Sequence, residues 1–224
     1  MKKIILGTIV LLIIIVAGYQ YATRPTTAPS APPVAADKPA VSGVENLFAV
    51  KQAETMASFT LGELLAGKPV TVVGTTNAVI GSFRVNPKNP VDISFSEFKI
   101  NARTFATDSG SRDNATRRFI LKTEDPANEF IVFTPKEITG LPAAFTIGSA
   151  VPVQVSGDLF ISGITKLAVF EGTLTLSAAD EFSADLRTTV LRSDFNLMIP
   201  NIPKVTNVDD VVVLRIAFGA VKSQ

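Results

Sequence analysis

The sequence predicts an all-β fold: an antiparallel barrel of about eight strands with one short helix, behind an apolar N-terminal segment and a Pro/Ala-rich linker. Three observations predict it. In Val153–Lys166, apolar residues fall at Val153, Val155, Leu159 and Ile161, the period of a strand with one buried face. Gly163 then marks a turn, and the alternation restarts at Ala168, Phe170, Gly172, Leu174 and Leu176, which reads as a hairpin. Most of the chain beyond residue 57 repeats such strands. Long strands joined by mostly short turns favour a barrel over a sandwich, because closure removes exposed edges.

The chain has 224 residues, enough for one β domain over 45–224. Such a domain buries roughly 70% of its unfolded surface and needs no disulfide or metal staple. There is no Cys, which leaves the redox compartment open and excludes a lipidated Cys anchor. Lys2, Lys3, Arg24 and Lys38 lie before residue 45 against Asp37, so 17 of the 21 basic and 19 of the 20 acidic side chains remain, a net charge of −2. That balance gives no electrostatic case for nucleic acid.

The elements follow in order. In residues 1–22, Lys2 and Lys3 precede an uncharged apolar run from Ile4 to Gly18, followed by Tyr19 and Tyr21 at the place of an interfacial belt. As a helix, Ile4–Tyr21 spans about 27 Å, just short of a hydrocarbon core. The expectation is a membrane anchor with a cytoplasmic basic flank and an extracytoplasmic C-terminal domain, in the periplasm or at the cell surface. The alternative is a signal peptide cleaved near Val16-Ala17-Gly18, giving a secreted protein. Residues 23–44, with Pro25, Pro29, Pro32, Pro33 and Pro39, form an extended spacer reaching on the order of 70 Å.

From Glu45 the domain begins. Met56–Leu65 reads as a strand passing into a helical turn at Gly62–Ala66. Val70–Val73 and Val79–Val85 follow, then a turn over Asn86–Pro90 and a strand at Phe98–Ala102. Thr104–Thr123 is a long connection holding a helix over Asn114–Leu121. Strands are expected at Phe130–Thr134, Ile138–Leu141, Phe182–Val190 and Val212–Phe218, with a turn at Gly148–Pro152 and a loop over Asn201–Asp210.

Several stretches in the right order resemble the YceI-like family of lipocalin-like polyisoprenoid-binding domains. Val155-Ser-Gly-Asp-Leu-Phe-Ile-Ser-Gly-Ile-Thr-Lys166 is similar to the family's V-x-G-x-L-T-I-x-G-V-T-K/R hairpin, and Arg192-Ser-Asp-Phe195 to its R-x-D-F. Asn101–Asp108 with Arg112-Asp113 resembles the strand and R-D that follows, and Phe130–Thr134 sits where the family has its y-P-x-x-x-F strand. Phe160 stands where Thr is usual, Asn196 where Gly often follows R-x-D-F, and the usual His near the first strands is missing.

The resemblance implies a lipocalin-like barrel whose interior holds a long isoprenoid chain, such as a prenyl phosphate or a quinone tail. Inward candidates are Phe83, Phe98, Ile100, Phe133, Leu159, Ile161, Phe170, Leu174, Leu186, Val190, Leu214, Ile216 and Phe218. Each alone is what an ordinary core supplies, and a barrel of this size either fills its interior or holds one small ligand. Arg103 and Arg112 are the candidate head-group contacts, in an Arg-rich stretch with Arg117 and Arg118 that also reads as a solvated face. Arg192 and Asp194 are expected to pair across a turn.

No catalytic or metal site is expected. Without His or Cys, a Ser-His-Asp triad, a Cys nucleophile and most transition-metal sites are excluded. Asp108–Asp113 lacks calcium-loop spacing. The expected function is membrane-tethered lipid binding or carriage without a cofactor. The expected partners are the isoprenoid, the membrane and, left open, a second copy of the chain. The alternative is a ligand-free structural or interaction module of the cell envelope.

Overall fold

A computed structural model describes residues 46–86 and 89–223. The expected anchor, the linker and the domain start at Glu45 lie outside the described residues, as do Pro87 and Lys88 of the Asn86–Pro90 turn. Among the described residues no helix is long and apolar enough to cross a membrane.

The chain forms β1 (Leu47–Leu65), β2 (Lys68–Thr76), β3 (Val79–Ile80), β4 (Ser82–Asn86), β5 (Asn89–Phe95), β6 (Phe98–Asn101), α1 (Gly110–Ala115), β7 (Phe130–Thr139), β8 (Ala150–Ile161), β9 (Ile164–Ala178), β10 (Glu181–Leu191), β11 (Val205–Thr206) and β12 (Val211–Lys222). All pairings are antiparallel. β2, β3 and β4 make one bent run broken only at 77–78 and Gly81. This run pairs with β1 through β2 and β4, and with β6 through β3. The order then continues β7, β8, β9, β10, β12 and back to β1. With the bent run counted once, those strands make eight, and the sheet curls into a barrel-like wall. β5 folds back on β4, and β11 lies against the end of β1.

The hairpin of β8 and β9 turns on Ser162-Gly163, both at positive φ, so the tight turn expected at Gly163 is present. Gly157 is a close approach: a Cβ there would lie 2.3 Å from the Thr134 carbonyl oxygen on β7.

Four local expectations are corrected. Gly62–Ala66 is not a helical turn, because β1 stays paired with β2 to Leu65 and turns at Ala66-Gly67. The helix begins earlier than Asn114, since Ser109 accepts a hydrogen bond from the Arg112 amide and caps Gly110–Ala115; a π-helical turn follows at Thr116–Ile120. The strands expected at 130–134 and 138–141 are one strand, β7, with its register shifted between Pro135 and Glu137, where Pro cannot donate to the ladder. β5 was not expected, and β11 lies inside the expected Asn201–Asp210 loop.

The core concentrates at one end. Phe48, Phe83 and Phe182 pack with ring centroids 4.8–5.6 Å apart. Phe145, Phe218 and Phe98 extend the cluster through contacts of 5.1, 6.3 and 5.6 Å. Offset and edge-on pairs of this kind contribute about 0.5–1.5 kcal/mol each beyond burial. They plug that end of the wall.

Candidate ligand cavity

Above the aromatic plug the interior divides into two cavities. The inner one measures about 100 Å³ and is almost wholly apolar. The outer one measures about 400 Å³ and opens toward α1 and the 192–212 segment. Phe105, Ile131 and Leu214 line both and form a waist between them. Small-molecule sites typically measure about 300–1,000 Å³, so the outer cavity is in range and the inner one below it.

Of the expected lumen residues, Phe83, Phe98, Ile100, Phe133, Leu159, Phe170, Leu174, Leu186, Ile216 and Phe218 line the inner cavity. Ile161 and Val190 line the outer cavity, and Leu214 lines both. Most of the expected site therefore surrounds the smaller space, where the Phe133 and Phe170 rings meet tilted by 57° with centroids 4.8 Å apart.

The larger space is walled by residues the sequence reading did not single out as a site. Phe59, Leu61 and Leu65 come from β1, and Val72 and Val212 from β2 and β12. Ile199, Ile202, Val205 and Val208 come from the stretch before β12. These four recur every third residue, but the chain does not run extended between them: it turns at Lys204 (φ 70°) and Asn207 (φ 48°), on either side of β11. Turns of this kind leave no period of 2 or 3.6 in the sequence, so no strand or helix pattern marks these four.

One polar cluster reaches the outer cavity. Glu63 points inward from β1 with its side chain 7% exposed, and Arg112 Nη2 donates to its Oε1 at 2.9 Å. Arg112 also pairs with Asp108, which is exposed. Arg192 lines the cavity too, but its guanidinium donates to the carbonyls of Asp209, Leu197 and Val208 and pairs with Asp210 at 3.8 Å. The expected Arg192–Asp194 pair is replaced by Arg192–Asp210. Hydrogen bonds from Ser193 to Asp210, helped by Arg192, hold that carboxyl below its ordinary range.

Arg103 lines neither cavity. It bonds the Thr123 carbonyl at 2.7 Å and Glu129 at 3.0 Å, while buried Asn101 donates to Glu129 and accepts from the Arg103 amide. Arg117 donates twice to the Phe105 carbonyl, and Arg118 pairs with Glu124. The Arg-rich stretch is therefore an internal brace for the connection, not a solvated face. Its R-D pair acts in the same way, since Asp113 accepts from both the amide and the hydroxyl of Thr107 at 2.7 Å. Among the described residues no group of three or more acidic side chains is placed to hold a metal.

Two departures from the resemblance have structural readings. Asn196 ends the Arg192–Phe195 turn at φ 50°, ψ 32°, a left-handed cap where Gly is favoured and Asn is the next choice. Phe160 lies between Leu159 and Ile161, which line the lumen, so it faces the other side of the sheet.

The YceI-like domain matches residues 48–220. Solved structures share the fold at low identity. The polyisoprenoid-binding domain from Saccharophagus degradans superposes with a TM-score of 0.62 at 12% identity, covering 80% of this chain and 99% of its own. Burkholderia cenocepacia BcnA gives 0.58 at 15% identity, covering 76% and 98%. The Campylobacter jejuni YceI protein gives 0.52 at 16%, covering 65% and 82%. No curated protein matches the sequence. With the match extending from the first strand almost to the end of the last, the chain belongs to the YceI-like domain family.

Proposed function

We propose that this protein binds or carries an isoprenoid lipid, with the chain in the outer cavity and its polar end at Glu63, Arg112 and Asp108. The observation that carries this is the size and lining of that cavity: about 400 Å³ of mostly apolar space, against about 100 Å³ in the ring-lined inner cavity. An apolar chain needs little more, since each buried methylene contributes about 0.8 kcal/mol. The likeness to a polyisoprenoid-binding domain supports the same reading.

The charges at the mouth favour an uncharged head, such as a quinone, over a phosphate. Arg112 is held by two carboxylates, and Arg192 by Asp210 and three carbonyls. A phosphate would have to displace Glu63 or lie beside it in a poorly solvated site. In this reading residues 1–22 anchor the protein and 23–44 hold the domain off the extracytoplasmic face of the membrane. The second reading, a ligand-free module of the envelope, is favoured by one feature, the small volume of the inner cavity, about 100 Å³.

Mass spectrometry of an organic extract of the purified protein separates the two. A stoichiometric isoprenoid with an uncharged head is expected. Extracts free of lipid, from a protein that also takes up no isoprenoid when offered it, leave the envelope module.

A further inference from the structure

The wall changes character between β9 and β10. Their ladder runs from Glu181↔Ala178 to Arg187↔Glu171 and stops there. Yet β9 reaches back to Ile164 and β10 runs on to Leu191. Beyond the last pair, β9 still pairs with β8, and β10 still pairs with β12. The two facing edges have no ladder between them, and the adjoining outer surface forms an open groove of about 650 Å³ that includes Val169 and Thr189.

The same strand ends carry apolar side chains on both faces. Inside, Ile161, Val190, Val212 and Leu214 line the outer cavity. Outside, Leu167 is 71% exposed and Val211 50%, with Val169, Leu191 and Val213 also exposed. Leu191↔Val211 and Thr189↔Val213 are paired neighbours, so the apolar surface continues from β10 onto β12. Strand segments that are apolar on both faces are ordinarily covered on both. Here the inner face meets the cavity, and the outer face is exposed among the described residues. Met198, 77% exposed, projects from the neighbouring segment whose Leu197 and Ile199 line the cavity. Charges bound the surface: Glu171 and Arg187 at one end, Asp209 at the other.

We propose that this face, centred on Leu167, Val169, Leu191, Val211 and Val213, docks on a lipid bilayer and sets the break between β9 and β10 against it as a side entrance to the outer cavity. Three features choose a bilayer as the occupant. The patch is continuous, through one strand thickness, with an apolar cavity. Its convex barrel wall suits a deformable surface better than a second rigid convex wall. The chain outside the described residues ends in the apolar run Ile4–Gly18, joined by a spacer long enough for the domain to lie on the surface holding that run. The unladdered edges keep the docking shallow, because backbone polar groups need water or head groups as partners. The proposal rests on the lipid-carrier reading only for the cargo that uses the entrance.

The chain has no Cys, so single-cysteine variants take one spin label each. The full chain is placed in phosphatidylethanolamine–phosphatidylglycerol vesicles with labels at Leu167→Cys, Val169→Cys and Val213→Cys. Ser94→Cys on β5 is the control. Circular dichroism confirms that each variant is folded. The face labels are expected to be shielded severalfold from a water-soluble nickel relaxant and open to oxygen, with the control fully open to nickel. Equal nickel access at all four positions overturns the docking. Strong dipolar coupling between copies at position 167, without oxygen access, assigns the face to a second copy and also overturns it. Lipid contact in a protein whose extracts hold no isoprenoid, and which takes up none when offered it, keeps the docking and rejects the carrier. Isoprenoid in the extracts with all labels in water does the reverse.

Discussion

Replacing Glu63 by Gln tests whether the Glu63–Arg112 pair in the outer cavity holds the wall together. At 2.9 Å and an effective dielectric of 20, the Glu63–Arg112 attraction is about 6 kcal/mol, opposed by a desolvation cost of several kcal/mol. The substitution keeps the shape and removes the charge. Arg112 is then left with Asp108, whose side chain is 79% exposed and whose pairing contributes about 0–1 kcal/mol. Breaking a fully buried pair costs about 3–5 kcal/mol; with Arg112 18% exposed, the expected loss is about 1–3 kcal/mol. Arg112→Leu should cost a similar amount, because it leaves Glu63 facing apolar walls. The double variant Glu63→Leu/Arg112→Leu should recover to within about 1 kcal/mol of the parent, since an apolar pair replaces both charges. Urea unfolding followed by circular dichroism measures all four proteins. Additive losses in the double variant, or a loss below about 0.5 kcal/mol for Glu63→Gln, would refute the reasoning.

Other expectations follow from single features. A Cβ at Gly172 would lie 1.9 Å from the Asp185 carbonyl oxygen, so Gly172→Ala must part β9 from β10 and lower the thermal midpoint by several degrees; an unchanged midpoint contradicts the close approach. Two hydrogen bonds of 2.8 Å from Arg215 hold the Asp185 carboxyl below its ordinary range. A depressed carboxylate contributes stability above its unfolded value near pH 3.9 and loses it as the pH falls through the folded value. Asp185→Asn should therefore flatten the stability profile below about pH 4, by less than about 1 kcal/mol for so exposed a group, and leave the slope at neutral pH unchanged. Phe105→Leu at the waist should lengthen the isoprenoid retained, measured by mass spectrometry of the extract, at a cost of about 1–3 kcal/mol.

The strands of the hairpin were legible because one face is buried and the other solvated, so Val153–Ile161 and Ala168–Leu176 alternate cleanly. β5 was lost behind the prolines of the preceding turn. Gly62–Ala66 looked helical because local composition does not show that it pairs with the strand expected at Val70–Val73, which carries β1 on to Leu65. The site was legible as a set of inward apolar residues but not as a space. Period two shows which residues point inward; it does not show that Phe48, Phe145 and Phe182 join three of them in a plug and leave the room at the other end. The arginines failed for the same reason, since Arg103 and Arg112 carry the same charge and only the fold brings Glu129 to one and Glu63 to the other.

Occupation of the outer cavity by an apolar chain is what the proposed function requires above all. An isoprenol carrying a photoreactive diazirine, bound to the full protein and crosslinked by light, tests this most directly through peptide mapping of the adducts. Adducts are expected on Phe59–Val72 and Ile199–Leu214, competed away by unlabelled isoprenol. Adducts confined to the outer faces of β9 and β10, or adducts that unlabelled isoprenol does not diminish, would contradict it.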